Sequence, residues 1–252
     1  MTSPAAAPVA VRCAAGIVFA MDTEADAFES RAGDKTKTHA GGLTFHEGTI
    51  AGRRVAWVVS GTGIERGRRA CRLLIDGHRP RLIVSAGFAG ALSEGVERGQ
   101  VVTAGRALRT DSDPIDLAPA VATAALPHLT VVTVDHVICT PTDKRALAAA
   151  TGADLVDMET WGVARVAHDA GLECVGLRVV SDSVAEDLPN EMAELVQPQS
   201  SMRRFGAALR AIGRRPRAAV DMWRLWENAV VDARTLAAAL ERLIGALPGG
   251  PP

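Results

Sequence analysis

The sequence predicts an α/β fold, and three features of the chain indicate it. Short apolar runs of strand length recur along the chain, and amphipathic segments of helix length alternate with them. The length of 252 residues and the hydrophobic fraction of 48% allow one large core. Glycine-rich or acidic residues directly follow several apolar runs, which is where open α/β sheets bind their ligands.

The first part of the chain predicts a strand, a helix and a hairpin. The apolar run Ala14 to Ala20 is too short for a helix and predicts a buried strand. Asp22 or Thr23 is expected to cap a helix that runs to about Arg31. Glu24 would lie in the first turn of that helix, where dipole compensation and a functional role are both open interpretations. The predicted hairpin strands are Gly42 to Ile50 and Arg54 to Ser60.

Two glycine-rich stretches lie in the next part of the chain. Gly61-Thr62-Gly63 precedes a predicted helix from Ile64 to Asp76, which Gly77 is expected to end. A glycine-rich turn between a strand and a helix can bind a dinucleotide, but that motif requires an acid after the next strand. That strand, Arg81 to Ala86, is followed by Gly87-Phe88-Ala89-Gly90 without an acid. We therefore expect no nicotinamide cofactor.

The middle of the chain predicts two further strands and a capped helix. The strands are Gln100 to Leu108 and Leu129 to Cys139, and the segment Thr110 to Leu126 between them is predicted to be irregular. Thr140 is a candidate cap for the next helix, with Pro141 at its first position.

Two carboxylates at strand ends predict a small-molecule site. The stretch Val156-Asp157-Met158-Glu159-Thr160 follows a short apolar run and opens a helix. A buried strand, Cys174 to Val180, then ends at Ser181-Asp182. If these elements are neighbours, their acids share one pocket with the glycine-rich stretches. His136, on a predicted strand, has both a structural and a catalytic interpretation.

The last part of the chain predicts two helices, Glu191 to Ile212 and Pro216 to Leu247. An apolar stripe on the second is expected to pack on the body of the protein or on a partner subunit; it comprises Trp223, Trp226, Leu236, Leu240 and Leu243. The arginine cluster from Arg203 to Arg217 is interpreted as a solvated face, with contact to a membrane surface as the less favoured alternative.

The composition argues against several classes of function. A net charge of −1 gives no reason to expect nucleic acid as a partner. The four cysteines, Cys13, Cys71, Cys139 and Cys174, form no CxxC pair, and the scattered histidines predict no metal site. We find no basic leader and no apolar run of ~20 residues. A cytoplasmic protein with reduced thiols is therefore expected.

Several stretches together resemble the nucleoside phosphorylase superfamily, in particular the bacterial 5′-methylthioadenosine/S-adenosylhomocysteine nucleosidases. These stretches are Gly16 to Glu24, Ser60 to Ala70, Ser85 to Leu92 with Gly99 to Val102, and Asp157-Met158-Glu159 through Ser181-Asp182. The resemblance implies a three-layer α/β/α fold around a twisted mixed sheet, and a homodimer or larger homo-oligomer. The matching stretches lie within a predicted catalytic domain at residues 11–185. The predicted helices after it form a C-terminal helical extension at 186–247 that is expected to pack on the same domain, and the ends, 1–10 and 248–252, are expected to be disordered.

The resemblance also implies a role for each acid. Glu24 activates a water molecule, Glu159 binds the ribose hydroxyls, and Asp182 protonates the leaving base. Breaking the C1′–N9 bond leaves negative charge on the purine, so an acid at N7 makes the base a better leaving group. Asp182 must then hold a proton, which requires a desolvated site or a nearby carboxylate. The other substrate-binding residues implied are Met158, Asp157, Ser181, Phe88, Ala89, Gly90, Ile138 and Gly63.

The sequence departs from the nucleosidases at three positions. Phe88 stands where they commonly carry serine, Val137 where an aromatic residue stacks on adenine, and Asp157 where glutamate is usual. Three regions look more like the hopanoid-associated phosphorylase branch, which cleaves a purine nucleoside attached to a lipid. They are the long C-terminus, the stretch Gly63 to Arg66 and the stretch Asp187 to Pro189.

The predicted function is hydrolysis of a purine nucleoside of the methylthioadenosine or adenosylhomocysteine type, without a cofactor. One alternative is a glycosyltransferase reaction, the phosphorolysis of a lipid-linked adenosyl substrate. Inorganic phosphate would then be a co-substrate, with Thr62, Arg66 and Ser60 as its candidate ligands. The other alternative is a non-catalytic protein that binds a nucleoside.

Overall fold

The computed structural model describes residues 13–118, 125–188 and 216–248, with side chains in the last range from Glu227 onward. The strands of the described residues are β1 (Ala15–Phe19), β2 (Gly33–Ala40), β3 (Leu43–Ile50), β4 (Arg53–Val59), β5 (Leu82–Ala91), β6 (Val101–Arg109), β7 (Ser112–Asp116), β8 (His128–Thr133), β9 (Leu155–Asp157) and β10 (Glu173–Asp182). The helices are α1 (Asp22–Glu29), α2 (Ile64–His78), α3 (Pro141–Thr151), α4 (Thr160–Asp169) and α5 (Pro216–Gly245).

One mixed sheet contains all of these strands. β2, β3 and β4 form an antiparallel meander, and β1 joins β4 to β5 with parallel pairing on both sides. Beyond β1, the strands β5, β10, β6, β8 and β9 pair in a closed ring, because β5 pairs with both β10 and β9. The parallel pairing of β1, β5 and β10 brings their carboxyl ends to the same edge of the sheet.

Helices cover both faces of the sheet, so the predicted three-layer α/β/α architecture is confirmed. Side chains of β1 alternate between the faces: Ile17 and Phe19 pack with α1 and α5, while Val18 packs with α2 and α4. Each side of the sheet therefore has its own apolar core, and both cores are built largely from residues that are fully buried.

Most predicted elements are confirmed, but several of their boundaries are wrong. Met21, rather than Asp22 or Thr23, occupies the N-cap of α1, and the Glu24 carboxylate accepts its backbone N–H. Helix α2 continues through Gly77 to His78, and its C-cap is Arg79, which adopts a left-handed conformation with φ of 46°. β8 ends at Thr133 rather than Cys139, because the segment after it turns away to form a wall of the cavity described below.

Two strands were not predicted, and a third is longer than predicted. All eight residues of β2 are exposed, so no apolar alternation marks it, and its backbone pairs with β3. β7 lies in the segment predicted to be irregular and pairs with β6. β5 does not end at Ala86 but continues to Ala91, since its glycine-rich half pairs with β10 on one side and β9 on the other.

Helix α5 packs on the body of the same chain. Leu236, Leu240 and Leu243 are fully buried in the core that contains β1 and α1. Ion pairs from Arg98 to Asp232, at 2.8 Å, and from Arg31 to Glu241 add polar links to the body. No helix of the described residues is long and apolar enough to cross a membrane. The predicted helix at 191–212, the arginine cluster, the Trp223 and Trp226 side chains, and nearly all of the predicted disordered ends lie outside the described part of the chain.

Candidate active site

A cavity lies at the carboxyl ends of β1, β5 and β10, and β9 and the segment after β8 complete its walls. Its volume is about 130 Å³, and it opens to solvent. All but one of the predicted site residues line it: Asp182, Glu24, Glu159, Met158, Asp157, Ser181, Phe88, Ala89, Gly90 and Ile138. The exception is Gly63, whose backbone N–H donates to a carboxylate oxygen of Glu159 at 2.6 Å.

Eight other described residues line the cavity and were not predicted as site residues. Five of them had no role in the prediction: Ala20, Met21, Val134, Val156 and Leu188. The remaining three, Thr62, His136 and Val137, were considered without a firm role. Some of these residues were missed because β8 was predicted to continue to Cys139. A strand of that length would turn alternate side chains away from the cavity, whereas the irregular segment after Thr133 presents consecutive side chains to it. His136 is exposed at this wall.

Glu24 is almost fully buried, at 2% exposure, and its carboxylate accepts three backbone hydrogen bonds. Oε2 accepts from the N–H groups of Ala20 and Met21, each at 2.9 Å, and Oε1 accepts from Phe88 N–H at 3.0 Å. Burial raises the pKa of Glu24, while these backbone bonds and the Arg178 guanidinium act in the opposite direction. A carboxylate with a raised pKa is suited to take a proton from water near neutral pH.

Glycine at two positions of β5 lets the acids approach the strand. A Cβ at Gly87 would lie 2.7 Å from Glu24 Oε1, and a Cβ at Gly90 would lie 2.9 Å from Asp182 Oδ2. Gly90 pairs with Val156 of β9 on one side and with Asp182 of β10 on the other. The glycine-rich half of β5 therefore provides the room in which the carboxylates converge.

Glu159 lies directly between β9 and α4 and lines the same cavity. Burial, and next the neighbouring Asp157 carboxylate, raise its pKa to about 8, although the hydrogen bond from Gly63 opposes the shift. Gly67 of α2 also passes close to this side chain: a Cβ there would lie 3.5 Å from the Glu159 Cβ. Hydrogen bonds donated by ribose hydroxyls to the Glu159 carboxylate would favour its ionised form.

Asp157 lines the cavity, but its carboxylate is engaged within the protein. Oδ2 accepts from Arg178 Nη2 at 2.8 Å and from Nε at 3.1 Å, and Thr160 donates to the same oxygen. Oδ1 accepts from the Thr133 hydroxyl at 2.7 Å. Arg178 also donates to the Ser85 hydroxyl at 2.7 Å, so this buried cluster joins β5, β8, β9 and β10 just beneath the site.

Arg178 had no predicted role. The feature that could have indicated one is its position as an arginine inside an otherwise apolar strand. Its side chain is 2% exposed, so all of its donors must find partners within the protein. The register of β10 against β5 places it beside Gly87, one step below the cavity.

Asp182 lies at the end of β10 and is 5% exposed. Oδ1 accepts a hydrogen bond from the Ser181 hydroxyl at 2.6 Å. Oδ2 lies 2.6 Å from Nζ of Lys144, a fully buried residue of α3. The charged group at this oxygen is thus an ammonium rather than a carboxylate. Lys144 was missed, although it is one of only three lysines in the chain.

The three candidate phosphate ligands, Ser60, Thr62 and Arg66, differ in whether their side chains reach the cavity. The Ser60 hydroxyl is directed at two backbone carbonyls, Phe19 O at 3.1 Å and Gly61 O at 2.7 Å. Arg66 is exposed, while Thr62 lines the cavity. The four cysteines are unpaired, and the described residues contain no cluster of three or more potential metal ligands.

Comparison with known proteins shows the family of this chain. Residues 14–117 and 118–213 match the phosphorylase superfamily profile. The chain belongs to the phosphorylase superfamily. This match includes every element that contributes an acid to the cavity.

Relatives and solved structures of this superfamily are similar to the chain at low identity. The 5′-methylthioadenosine/S-adenosylhomocysteine nucleosidase of Listeria welshimeri is 32% identical over 98 residues, which span 39% of this chain and 42% of the relative. The corresponding nucleosidase of Shewanella halifaxensis is 26% identical over 72% of this chain and 91% of its own. The chain thus spans less than half of the Listeria relative that it matches.

Two solved structures show the same fold. The nucleosidase of the same name from Neisseria meningitidis, in complex with methylthio-immucillin-A, has a TM-score of 0.73 and 18% identity, covering 92% of this chain and 99% of that one. Futalosine hydrolase of Helicobacter pylori has a TM-score of 0.71 and 18% identity, covering 91% and 96%.

Proposed function

We propose that this chain hydrolyses the N-glycosidic bond of a purine nucleoside. The observation that carries the proposal is that Glu24, Glu159 and Asp182, each from a different element, line one cavity. Two acids with different surroundings can serve opposite protonation duties in one site, as in glycoside hydrolysis. The nucleosidase relatives and membership of the phosphorylase superfamily support the same reaction class.

In the proposed reaction, Asp182 donates a proton to N7 of the base while the electron pair of the C1′–N9 bond moves onto the base. The ribose develops positive charge at C1′, which the Glu159 carboxylate stabilises through the ribose hydroxyls that it binds. Water forms a new bond to C1′ and gives a proton to Glu24, so the products are free base and free sugar. Glu24 is held for this step by three backbone N–H groups.

The surroundings of Glu24 favour water over phosphate as the nucleophile. Phe88 N–H, in the glycine-rich half of β5, donates to Glu24 and so is not open to an anion. A phosphate placed beside this carboxylate would also meet like charge in a desolvated site. Ser60, one candidate ligand, has its hydroxyl turned to backbone carbonyls.

Release of free base with and without inorganic phosphate tests the reaction type. We expect equal rates in phosphate-free buffer and in buffer with millimolar phosphate. Strict dependence on phosphate, with ribose 1-phosphate as a product, would establish phosphorolysis instead. The substrate panel should contain methylthioadenosine, adenosylhomocysteine, futalosine-like and lipid-linked adenosyl nucleosides, since the 5′ substituent decides between the two branches. Binding of a nucleoside without any turnover would favour the non-catalytic alternative.

We also propose that the protein works in the cytoplasm as a homodimer. The unpaired cysteines fit a reducing compartment, and the dimer is implied by the resemblance to the nucleosidases. Sedimentation equilibrium measures the oligomeric state directly, and a monomer at micromolar concentration would contradict the dimer.

Binding of a nucleoside is expected to strengthen as the pH rises from 6 to 8. Hydroxyl donors bind the ionised form of Glu159, and the ionised fraction grows until the pH passes the pKa of about 8. Below that pKa, affinity should increase by up to about tenfold per pH unit. Calorimetry with a non-cleavable nucleoside analogue measures this dependence, together with the proton that binding releases.

The Glu159→Gln variant supplies the test of this assignment. It should bind the analogue weakly and with little change between pH 6 and 8, because glutamine does not titrate. Glu173→Gln, at an exposed position outside the cavity, is the matched control and should keep the wild-type pH dependence. An unchanged pH profile in Glu159→Gln would show that another group binds the hydroxyls.

A further inference from the structure

Lys144 is a buried cation beside the site, and it has no role in the reaction proposed above. It is fully buried, and it is the only buried residue of α3. Its ammonium group lies 2.6 Å from Asp182 Oδ2 and donates to the backbone oxygens of Ser183 at 2.8 Å and Glu186 at 2.9 Å. Removing an ammonium from water is costly, so a buried lysine with three oxygen partners marks a position where its charge is needed.

The start of α3 places this ammonium beside the site. The Thr140 hydroxyl accepts Asp143 N–H at 3.1 Å, and Pro141 occupies the first turn, so the helix begins at a defined residue. Lys144 follows one turn later, and its side chain reaches the segment directly after β10. The ammonium is therefore held by secondary structure on one side and by backbone carbonyls on the other.

We propose that Lys144 is a positioning residue that stabilises the negative charge formed on Asp182 as this acid gives its proton to the departing base. The inference rests on the proposed function. The proposed proton transfer leaves negative charge on the Asp182 carboxylate, and a cation 2.6 Å from Oδ2 stabilises that charge as it forms. Lys144 does not line the cavity, so it acts through Asp182 rather than on the substrate.

A second cation on the same backbone segment provides a control. Arg98 donates to the Ser181 carbonyl at 2.9 Å and to Asp232 of α5 at 2.8 Å. It thus supports the residue before Asp182 without contacting the Asp182 carboxylate. Loss of Arg98 perturbs the segment structurally but leaves the charge at Asp182 Oδ2 in place.

The experiment compares turnover of a series of purine ribosides whose bases differ in acidity. Poor leaving groups depend on protonation, and good ones do not. Lys144→Met should lower kcat about 10²-fold for the poorest leaving group, with a factor that shrinks towards unity for the best. Lys144→Gln, which keeps amide donors for the two carbonyls but no charge, should show the same trend. Arg98→Met should change kcat by one similar factor across the series.

A double variant keeps the test valid if Lys144→Met alone folds poorly. In Lys144→Met/Asp182→Asn neither member of the ion pair remains charged, and Lys144→Met should cause no further loss of kcat in the Asp182→Asn background. A uniform loss across the series, or a full further loss in the double variant, would overturn the role of Lys144. Failure of the wild-type protein to release base from any riboside would instead overturn the proposed function itself.

Discussion

Asp182→Asn is expected to lower kcat for base release about 10²- to 10⁴-fold, the range typical of a lost general acid. Asparagine preserves the size of the side chain and can still accept the Ser181 hydroxyl, which bonds Asp182 Oδ1 at 2.6 Å. It has no acidic proton to give to N7, so the base must leave as an anion. Spectrophotometric or chromatographic measurement of free base over time, at saturating nucleoside, gives the value.

Asp187→Asn is the matched control for this prediction. Asp187 lies in the same segment but is exposed and outside the cavity, so its replacement should leave kcat within about twofold of wild type, as for an ordinary surface substitution. Unchanged turnover in Asp182→Asn would show that the leaving base is protonated by another group or not at all. Circular dichroism of both variants separates a chemical effect from loss of the fold.

Arg178→Met is expected to destabilise the folded protein by about 3–5 kcal/mol, the cost of breaking a buried ion pair by removing one partner. Arg178 and Asp157 are both almost fully buried, and Asp157 Oδ2 would be left without its two guanidinium donors. The carbonyl of Ser85 would also lose a donor at 2.6 Å. Equilibrium unfolding in urea measures the change in the free energy of unfolding.

The control for Arg178→Met is an exposed pair of the same two residue types. Arg165 Nε lies 3.0 Å from Asp169 on the surface of α4, with both side chains at least 40% exposed. Arg165→Met should change the free energy of unfolding by no more than about 1 kcal/mol, since solvent screens such pairs. A loss below about 1 kcal/mol in Arg178→Met would mean that the cluster relaxes or admits water, contrary to the burial described for it.

Apolar runs and capping signals were sufficient to predict most of the fold. β1 and most of β10 are buried on both faces. Their sequences are therefore largely apolar, with Arg178 as the exception inside β10, and are distinct from their surroundings. Thr140 and Pro141 defined the start of α3 for a similarly local reason. β2 could not be found this way: all its residues are exposed, so they show no apolar alternation, and its conformation depends on hydrogen bonds to β3.

The glycine-rich half of β5 shows why a local pattern can also mislead. Its glycines suggested the end of a strand, whereas the structure continues the strand because β9 and β10 pair with it on both sides. The same glycines admit the carboxylates of Glu24 and Asp182 at distances that a Cβ would forbid. The need for glycine at these positions is set by side chains that are distant in the sequence, so the local periodicity does not predict it.

The sequence by itself determined the order of most strands and helices, and it singled out Glu159 and Asp182 as acids at the ends of apolar runs. These features depend on local propensity and on residue types at strand ends, whereas Glu24 was singled out by the resemblance to a known family. Only the tertiary structure decided which groups surround each acid: backbone N–H groups for Glu24, Gly63 for Glu159 and Lys144 for Asp182. Protonation and charge stabilisation depend on separations of a few ångströms between residues tens of positions apart, and only the folded chain defines those separations.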